Sequence, residues 1–544
     1  MRVLIIRVAW FMRTRFRLAD LVLREPFGFD PFDNLQATPA GVTEIESNKM
    51  RILIAGAGIA GLSAALALTS AGHTVEVIDY DPPPPPGDMN EIFDKWDRKG
   101  VSQMRQSHAF HARIVNLIRE NHPELHRRLL DAGVTEFTFE AQLWPTLAPR
   151  YVPVPIDAKL RSMVSRRTTL EALMRAYAEE RCGAIFHSGY KVRGILCTPA
   201  PEGIATARAF KVETPSGVEE TWQADLLIDA AGRNSPFLDW LKEFCVVPET
   251  DEAPVGIVYC TRYYRVNPGQ IPLPRPREQA GFDISFIRGG MFPGDAGNFS
   301  ITFILPEIET ELRQVILYPD VFESFARKIP GLAAHIDPAY ACPVSKVHAM
   351  GNLKNVWRHW IKDGKPLILN YFAIGDSTMC SNPLFGRGCS LAMTHAYILG
   401  DALRESDDPI ARAKLFARRA NEEIRPFYDA MVQRDQAGIK QAEIAQNPGH
   451  KLSFREKLQK SFADDAVGPA IRSNLYVARS FMISAQMIDH PSAWMKKPAV
   501  LAAILAKWAT PKRFKRHLYA KSAPLNRSEF LAIAEEKLRA RKLA

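Results

Sequence analysis

The chain has 544 residues, 47% hydrophobic and 24% charged, with a net charge of +10. That length buries more than one sizeable core, and that composition excludes a collagen-like, disordered or disulfide-scaffold protein. Seven cysteines without a C-x-x-C pair argue for a reducing, cytoplasmic setting and against a disulfide framework or a structural metal.

Residues 1–49 mix arginines with apolar runs too short to span a bilayer, and they lack the pattern of a secretory signal. They read as an amphipathic surface segment or, the preferred reading, as an untranslated extension with Met50 as the true start. From Met50 to Asp81 the pattern predicts a strand (Ile52-Leu53-Ile54-Ala55), the turn Gly56-Ala57-Gly58-Ile59-Ala60-Gly61, a helix to Ala71 and a strand from Val75 to Asp79. In such a G-x-G-x-x-G turn the first glycine allows the tight turn. The second admits a pyrophosphate to backbone N–H groups, and the third lets helix and strand pack closely. Ile59 and Ala60 open the helix, whose N-terminus favours phosphate. Asp79, about 20 residues on, stands where an acid takes ribose hydroxyls. A dinucleotide follows, but not which one.

After the stiff run Pro82 to Pro86, the loop Gly100 to His111 leads into a helix from Ala112 to Asn121 and a second after Pro123. His108 and His111 are weak acid–base candidates, since imidazole titrates near neutrality and a histidine satisfied within its helix is commoner. Short extended pieces are expected from Val134 to Pro155. Arg167-Thr168-Thr169-Leu170-Glu171 opens a helix to Arg181, followed by strands near 186–195 and 207–213. Another strand and turn runs from Ala224 to Ser235 and contains Ala231 and Gly232. Aromatic and β-branched runs at 255–266, 281–288 and 298–305 predict a sheet flooring a substrate cavity, with Tyr259, Arg262, Tyr264, Phe286 and Phe303 as wall candidates. An apolar strand then delivers Gly375-Asp376, and Asn382-Pro383-Leu384-Phe385-Gly386-Arg387-Gly388 opens a helix at Cys389. Beyond 400 the pattern is helical, at 411–434, 475–490 and 498–508. From Lys496 onward thirteen Lys and Arg face three Glu, a net +10 that equals the charge of the whole chain. This tail suits anionic lipid or is a solvated helical face; no nucleic-acid recognition motif accompanies it.

Taken together and in order, the four motifs around Gly56, Arg167, Gly232 and Asp376 resemble those of the class A flavoprotein monooxygenases and their relatives, the flavin-dependent halogenases and geranylgeranyl reductases. The resemblance implies FAD. Gly56, Gly58, Ile59, Ala60, Gly61 and Asp79 would hold its dinucleotide part, Arg167 and Arg105 would reach it, and Asp376 after Gly375 would bind the ribityl or pyrophosphate portion. Pro383, Gly386 and Gly388 would lie beside the flavin, with Arg387 a candidate for stabilising its reduced form. The implied activity is oxygenation of a hydrophobic substrate, hydroxylation or epoxidation, by O2 through a flavin C4a-hydroperoxide. Electrons would come from NAD(P)H or a separate flavin reductase, with no metal. Ala231 stands where the aromatic hydroxylases carry the aspartate of an Asp-Gly pair. That departure keeps open an FAD reductase or desaturase of an isoprenoid-like substrate. A halogenase is weaker, because Trp357-Arg358-His359-Trp360 does not match W-x-W-x-I-P, and a non-catalytic lipid or protein escort is weaker still.

The expected fold is α/β: an FAD-binding Rossmann-like domain with an inserted β-sheet substrate domain and a helical C-terminal region. The FAD-binding domain takes residues 50–132, 161–245 and 346–405; the substrate domain takes 133–160 and 246–345. The helical region with its basic tail takes 406–544, and the protein is expected to be cytoplasmic, with the basic tail open to peripheral membrane contact.

Overall fold

The computed structural model describes residues 49–544 except 200–202, 245, 272, 274–280, 284–285, 330, 448, 520–524 and 544. The readings of the N-terminal extension therefore lie outside the described residues.

A five-stranded parallel sheet organises the chain. Its strands stand in the order Tyr371–Ala373, Leu226–Asp229, Arg51–Ala55, Thr74–Asp79, Ile185–Ser188. Numbered along the chain this is 5-4-1-2-3, the doubly wound arrangement, in which the connections reverse direction at the first strand. Ligands in such sheets bind beyond the carboxyl ends of the strands at that reversal. The strands are covered on both faces, which explains why Ile52, Leu53 and Ile54 are consecutively apolar and all buried rather than alternating. One face carries the helices Ile59–Ser70, Arg167–Cys182 and Gly388–Glu405. The other carries an antiparallel sheet of Lys191–Pro199, Ala205–Glu213 and Glu219–Gln223, sealed by Phe210, Phe237 and Tyr371.

The expected sheet beyond residue 255 is present. Its main strands are Arg288–Pro293, Asn298–Pro306 and Ile257–Val266, paired antiparallel. Strand geometry sends alternate side chains to opposite faces, and this alternation corrects the list of cavity walls. Tyr264, Phe303 and the partly buried Phe286 belong to a core closed by Phe322, Phe325 and Phe530. Arg262 on the same face pairs with Glu323 at 2.7 Å. Only Tyr259 of the five faces the flavin turn, where its hydroxyl donates to Asn382 Oδ1 at 2.7 Å. The opposite face presents hydroxyls, Thr261, Ser300 and Thr302, to the loop at Gln106 and Ser107.

Two further expectations change. Between 134 and 155 only Thr135–Phe137 is a strand, followed by short helical turns, and it pairs with Ser162–Val164. The single helix expected at 411–434 is two, Pro409–Glu423 and Arg425–Gln446, broken at Ile424 ahead of Pro426, whose missing N–H suits a first turn.

Candidate cofactor site

The turn after the first strand and the turn before Gly388 wall one continuous cavity of about 520 Å³. Its lining includes Gly56, Gly58, Ile59, Ala60, Asp79, Arg167, Ala231, Gly232, Asp376, Pro383, Gly386 and Gly388. The glycines fall into two kinds. A Cβ on Gly61 would sit 1.8 Å from Gly56 O, and one on Gly56, at φ +105°, 2.6 Å from Ala230 O. These two positions are closed by the protein's own backbone. A Cβ on Gly58 would meet nothing nearer than Arg167 Nη2 at 3.9 Å, and one on Gly388 nothing within 4 Å. The fold leaves both bare toward the groove, which is what close approach of a pyrophosphate and a ring system demands.

Asp79 lies at the end of its strand as expected, but it is already engaged. Its carboxylate accepts from Ala57 N at 2.8 Å and Asp81 N at 2.9 Å, and pairs with Arg98. Arg98, which sequence reasoning missed, also donates to Ala57 O at 2.9 Å and to Glu171 at 2.6 Å. Glu171 in turn takes Arg167 Nε at 2.5 Å. Burial works to raise the Glu171 carboxyl, but Arg167 and Arg98 outweigh it and hold it below its usual range. The network fixes Arg167 over Gly58 as a cation facing the groove. Asp376 also faces the groove; burial raises its pKa, opposed by Arg233, Arg167 and Arg358.

Asp229, fully buried, joins the third and fourth motifs. It accepts from Ser235 Oγ (2.6 Å), Ser377 Oγ (2.8 Å), Tyr371 OH (3.0 Å) and Ala231 N (2.9 Å). The second glycine turn is held by another buried set. Asn382 Nδ2 and Asn355 Nδ2 donate to the two oxygens of Asp435 at 2.6 and 2.7 Å, and Asn382 Oδ1 accepts from Leu384 N at 2.9 Å.

Five expected cofactor or acid–base residues stand outside the cavity lining: Gly61 and Gly375, each packed close against protein atoms, and three with long side chains. The Arg105 guanidinium lies over the Phe93 ring and donates to Trp96 O at 3.1 Å. Arg387 is buried against the Phe385 and Phe427 rings, and burial lowers its pKa to about 10. His111 donates from Nε2 to Phe385 O at 2.6 Å and is a strut for the turn. Cys389 lines the cavity while Cys380 lies beneath, and burial pushes their thiols to about 11 and 12, so neither is a ready nucleophile.

His108 does line the cavity. Its Nδ1 is 2.9 Å from Gln106 O, and a carbonyl only accepts, so Nδ1 carries the proton and Nε2 offers a lone pair. Burial, helped by nearby Arg167, lowers its pKa to about 4. The hydroxyl face of the antiparallel sheet sets this up: Tyr263 OH donates to Gln106 O at 2.8 Å, and Thr261 OH to Gln106 Oε1 at 2.6 Å. Ser107 Oγ bonds Ser300 and Thr302 at 2.7 and 2.6 Å. Strand alternation around Thr261 and Thr302 was the available signal for these residues.

A family model described as FAD binding domain matches residues 49–435. The chain belongs to this FAD-binding domain family. As a member it is an FAD-dependent oxidoreductase, and the bare backbone at Gly58 and Gly388 fits that cofactor. No curated protein sequence matches the chain. Among solved structures it is similar to PqsL of Pseudomonas aeruginosa, described as a probable FAD-dependent monooxygenase, at 15% identity and TM-score 0.51 over 73% of this chain and 98% of that one. It is similar also to the flavin-dependent halogenase CmlS, at 15% identity and TM-score 0.53 over 85% and 77%. The Diels-Alderase PyrE3 of pyrroindomycin biosynthesis gives 15% and 0.52 over 81% and 80%. Three chemistries on one fold mean that the FAD-binding family fixes the cofactor and leaves the reaction to the site.

Proposed function

We propose that this protein is an FAD-dependent monooxygenase that hydroxylates or epoxidises a hydrophobic organic substrate, with His108 as its proton-handling group. The observation that carries the reading is an imidazole on the groove wall, its tautomer fixed by Gln106 O and kept neutral near pH 7 by burial, which lowers its pKa to about 4. FAD, when bound, supplies the redox chemistry, drawing electrons from NAD(P)H or a separate flavin reductase and passing them to O2. Gly58 and the N-terminus of helix Ile59–Ser70 would receive the pyrophosphate, with Arg167 as the facing cation. The N-terminus of helix Gly388–Glu405 would stabilise negative charge on the reduced ring. In ring hydroxylation His108 Nε2 would take the proton displaced from the carbon that gains oxygen; epoxidation displaces none. Among the described residues no group of His, Cys, Asp and Glu could hold a metal ion. The same reading has the enzyme cytoplasmic and peripheral to a membrane, with no nucleic-acid partner.

The test is substrate-dependent oxygen uptake by the flavin-loaded protein with NADH or NADPH. His108→Asn should keep the flavin absorbance while turnover falls about 10²–10⁴-fold; full turnover in that variant refutes the role. A second reading, a reductase or desaturase of an isoprenoid-like substrate, is favoured by Ala231. It predicts product formation that persists without oxygen.

A further inference from the structure

Helix Pro498–Ala509 is apolar on both sides, although only one side faces the protein. Val500 and Ile504 are buried against Ala466, Ala470, Val477 and Trp494. On the other side Leu501 and Leu505 are exposed, 42% and 41%, and Pro498, Ala502 and Ala509 continue the same stripe. Phe514, just beyond the helix, is 62% exposed. An adjoining helix, Phe454–Phe462, leaves Phe454 and Leu458 exposed one turn apart. The two helices meet where Phe462 packs edge-on to Trp508, ring centroids 5.4 Å apart. Water penalises such a surface, so a chain that keeps it has something to place there.

The charge around it says what. From Lys496 to Ala520 there are seven Lys and Arg and no Asp or Glu. Lys496, Arg513 and Arg516 are exposed at the two ends of the helix, as is Lys512, which also pairs with Asp465 at 3.0 Å. We propose that this face is a membrane-docking surface for anionic lipid. The helix lies in the interfacial plane, with Leu501, Leu505 and Phe514 below the headgroups and the basic residues on the phosphates. Twelve residues give a helix about 18 Å long, short of the roughly 30 Å hydrocarbon core, so it lies on the bilayer and does not cross it. No helix among the described residues is long and apolar enough to cross. A second copy of the chain fits the face poorly, because a two-fold contact would set its unbalanced positive charge against itself.

The docking region is tied to the groove. Gln486, directly after helix Leu475–Ala485, accepts from Ala112 N at 2.9 Å and contacts His111, which holds Phe385 O in the flavin turn. This inference sharpens the membrane contact of the proposed function and rests on that reading only for its purpose, to bring the site to a lipid-soluble substrate.

The experiment is co-sedimentation of the full chain with phosphatidylcholine vesicles, with and without phosphatidylglycerol, at low and high salt. Binding should require phosphatidylglycerol and weaken with salt. Both Leu501→Ser/Leu505→Ser and Lys496→Glu/Arg513→Glu/Arg516→Glu should lose roughly tenfold or more in binding while keeping the wild-type circular dichroism. Absence of wild-type binding, or binding unchanged in both variants, overturns the proposal. So does a lipid-free dimer, seen by light scattering, that Leu501→Ser/Leu505→Ser dissolves. Sedimentation needs no flavin turnover, so a protein that docks but does not oxygenate refutes only the proposed reaction.

Discussion

The two glycine turns that face each other across the groove are built in opposite ways. The turn Gly56–Gly61 packs main chain on main chain, Gly61 against Gly56 O and Gly56 against Ala230 O, with Asp79 on Ala57 N and Arg98 on Ala57 O holding its middle. The turn Pro383–Gly388 is placed by side chains from far along the chain, Asp435 and Asn355 on Asn382, Tyr259 on the same amide, and His111 on Phe385 O. A turn packed on main chain has no room for a side chain at Gly56 or Gly61. A turn held by side chains from distant elements shifts when one of them is replaced.

Substitutions break the contrast in a definite order of stability. Gly61→Ala puts a methyl 1.8 Å from a main-chain oxygen that cannot move without the sheet, so the expected outcome is no soluble folded protein on expression. Asp435→Ala leaves two buried amide donors unpaired, a cost of about 1–3 kcal/mol in urea unfolding. It should also shift the visible flavin band, since the turn beside the ring is released; an unshifted band would mean that Asp435 serves stability alone. Gly58→Ala sharpens the comparison, because its Cβ has room in the protein: unfolding should change by no more than about 0.5 kcal/mol while flavin loading falls, measured as the 450/280 nm ratio.

The smallest effect at neutral pH belongs to His395, buried on the helix that follows the second turn, with burial lowering its pKa to about 3. The folded state refuses a proton that the unfolded chain takes below about 6.5, so stability falls as pH drops from about 6.5 toward 3. His395→Leu should flatten the fall of melting temperature across that window; an unchanged slope would assign the acid sensitivity to His108, His122 and His348, each lowered to about 4.

The strand–turn–helix–strand at Met50 to Asp81 was legible because its demands are local: consecutive apolar residues for a doubly covered strand, glycines at fixed spacing, an acid at the next strand's end. So were the strand that ends at Asp229 and the one before Gly375, and with them the α/β class and the dinucleotide. What only the tertiary structure decided is which side chains share the groove. Arg98 reaches Asp79 and Glu171 across 19 and 73 residues, and Asp435 reaches Asn382 across 53. The face of a strand that looks at the flavin turn depends on register, since one residue's slip exchanges Thr261 for Arg262. Spacing in the sequence encodes what the backbone does within one element. The partners of a buried charge depend on which distant elements pack against it, and no local pattern records that.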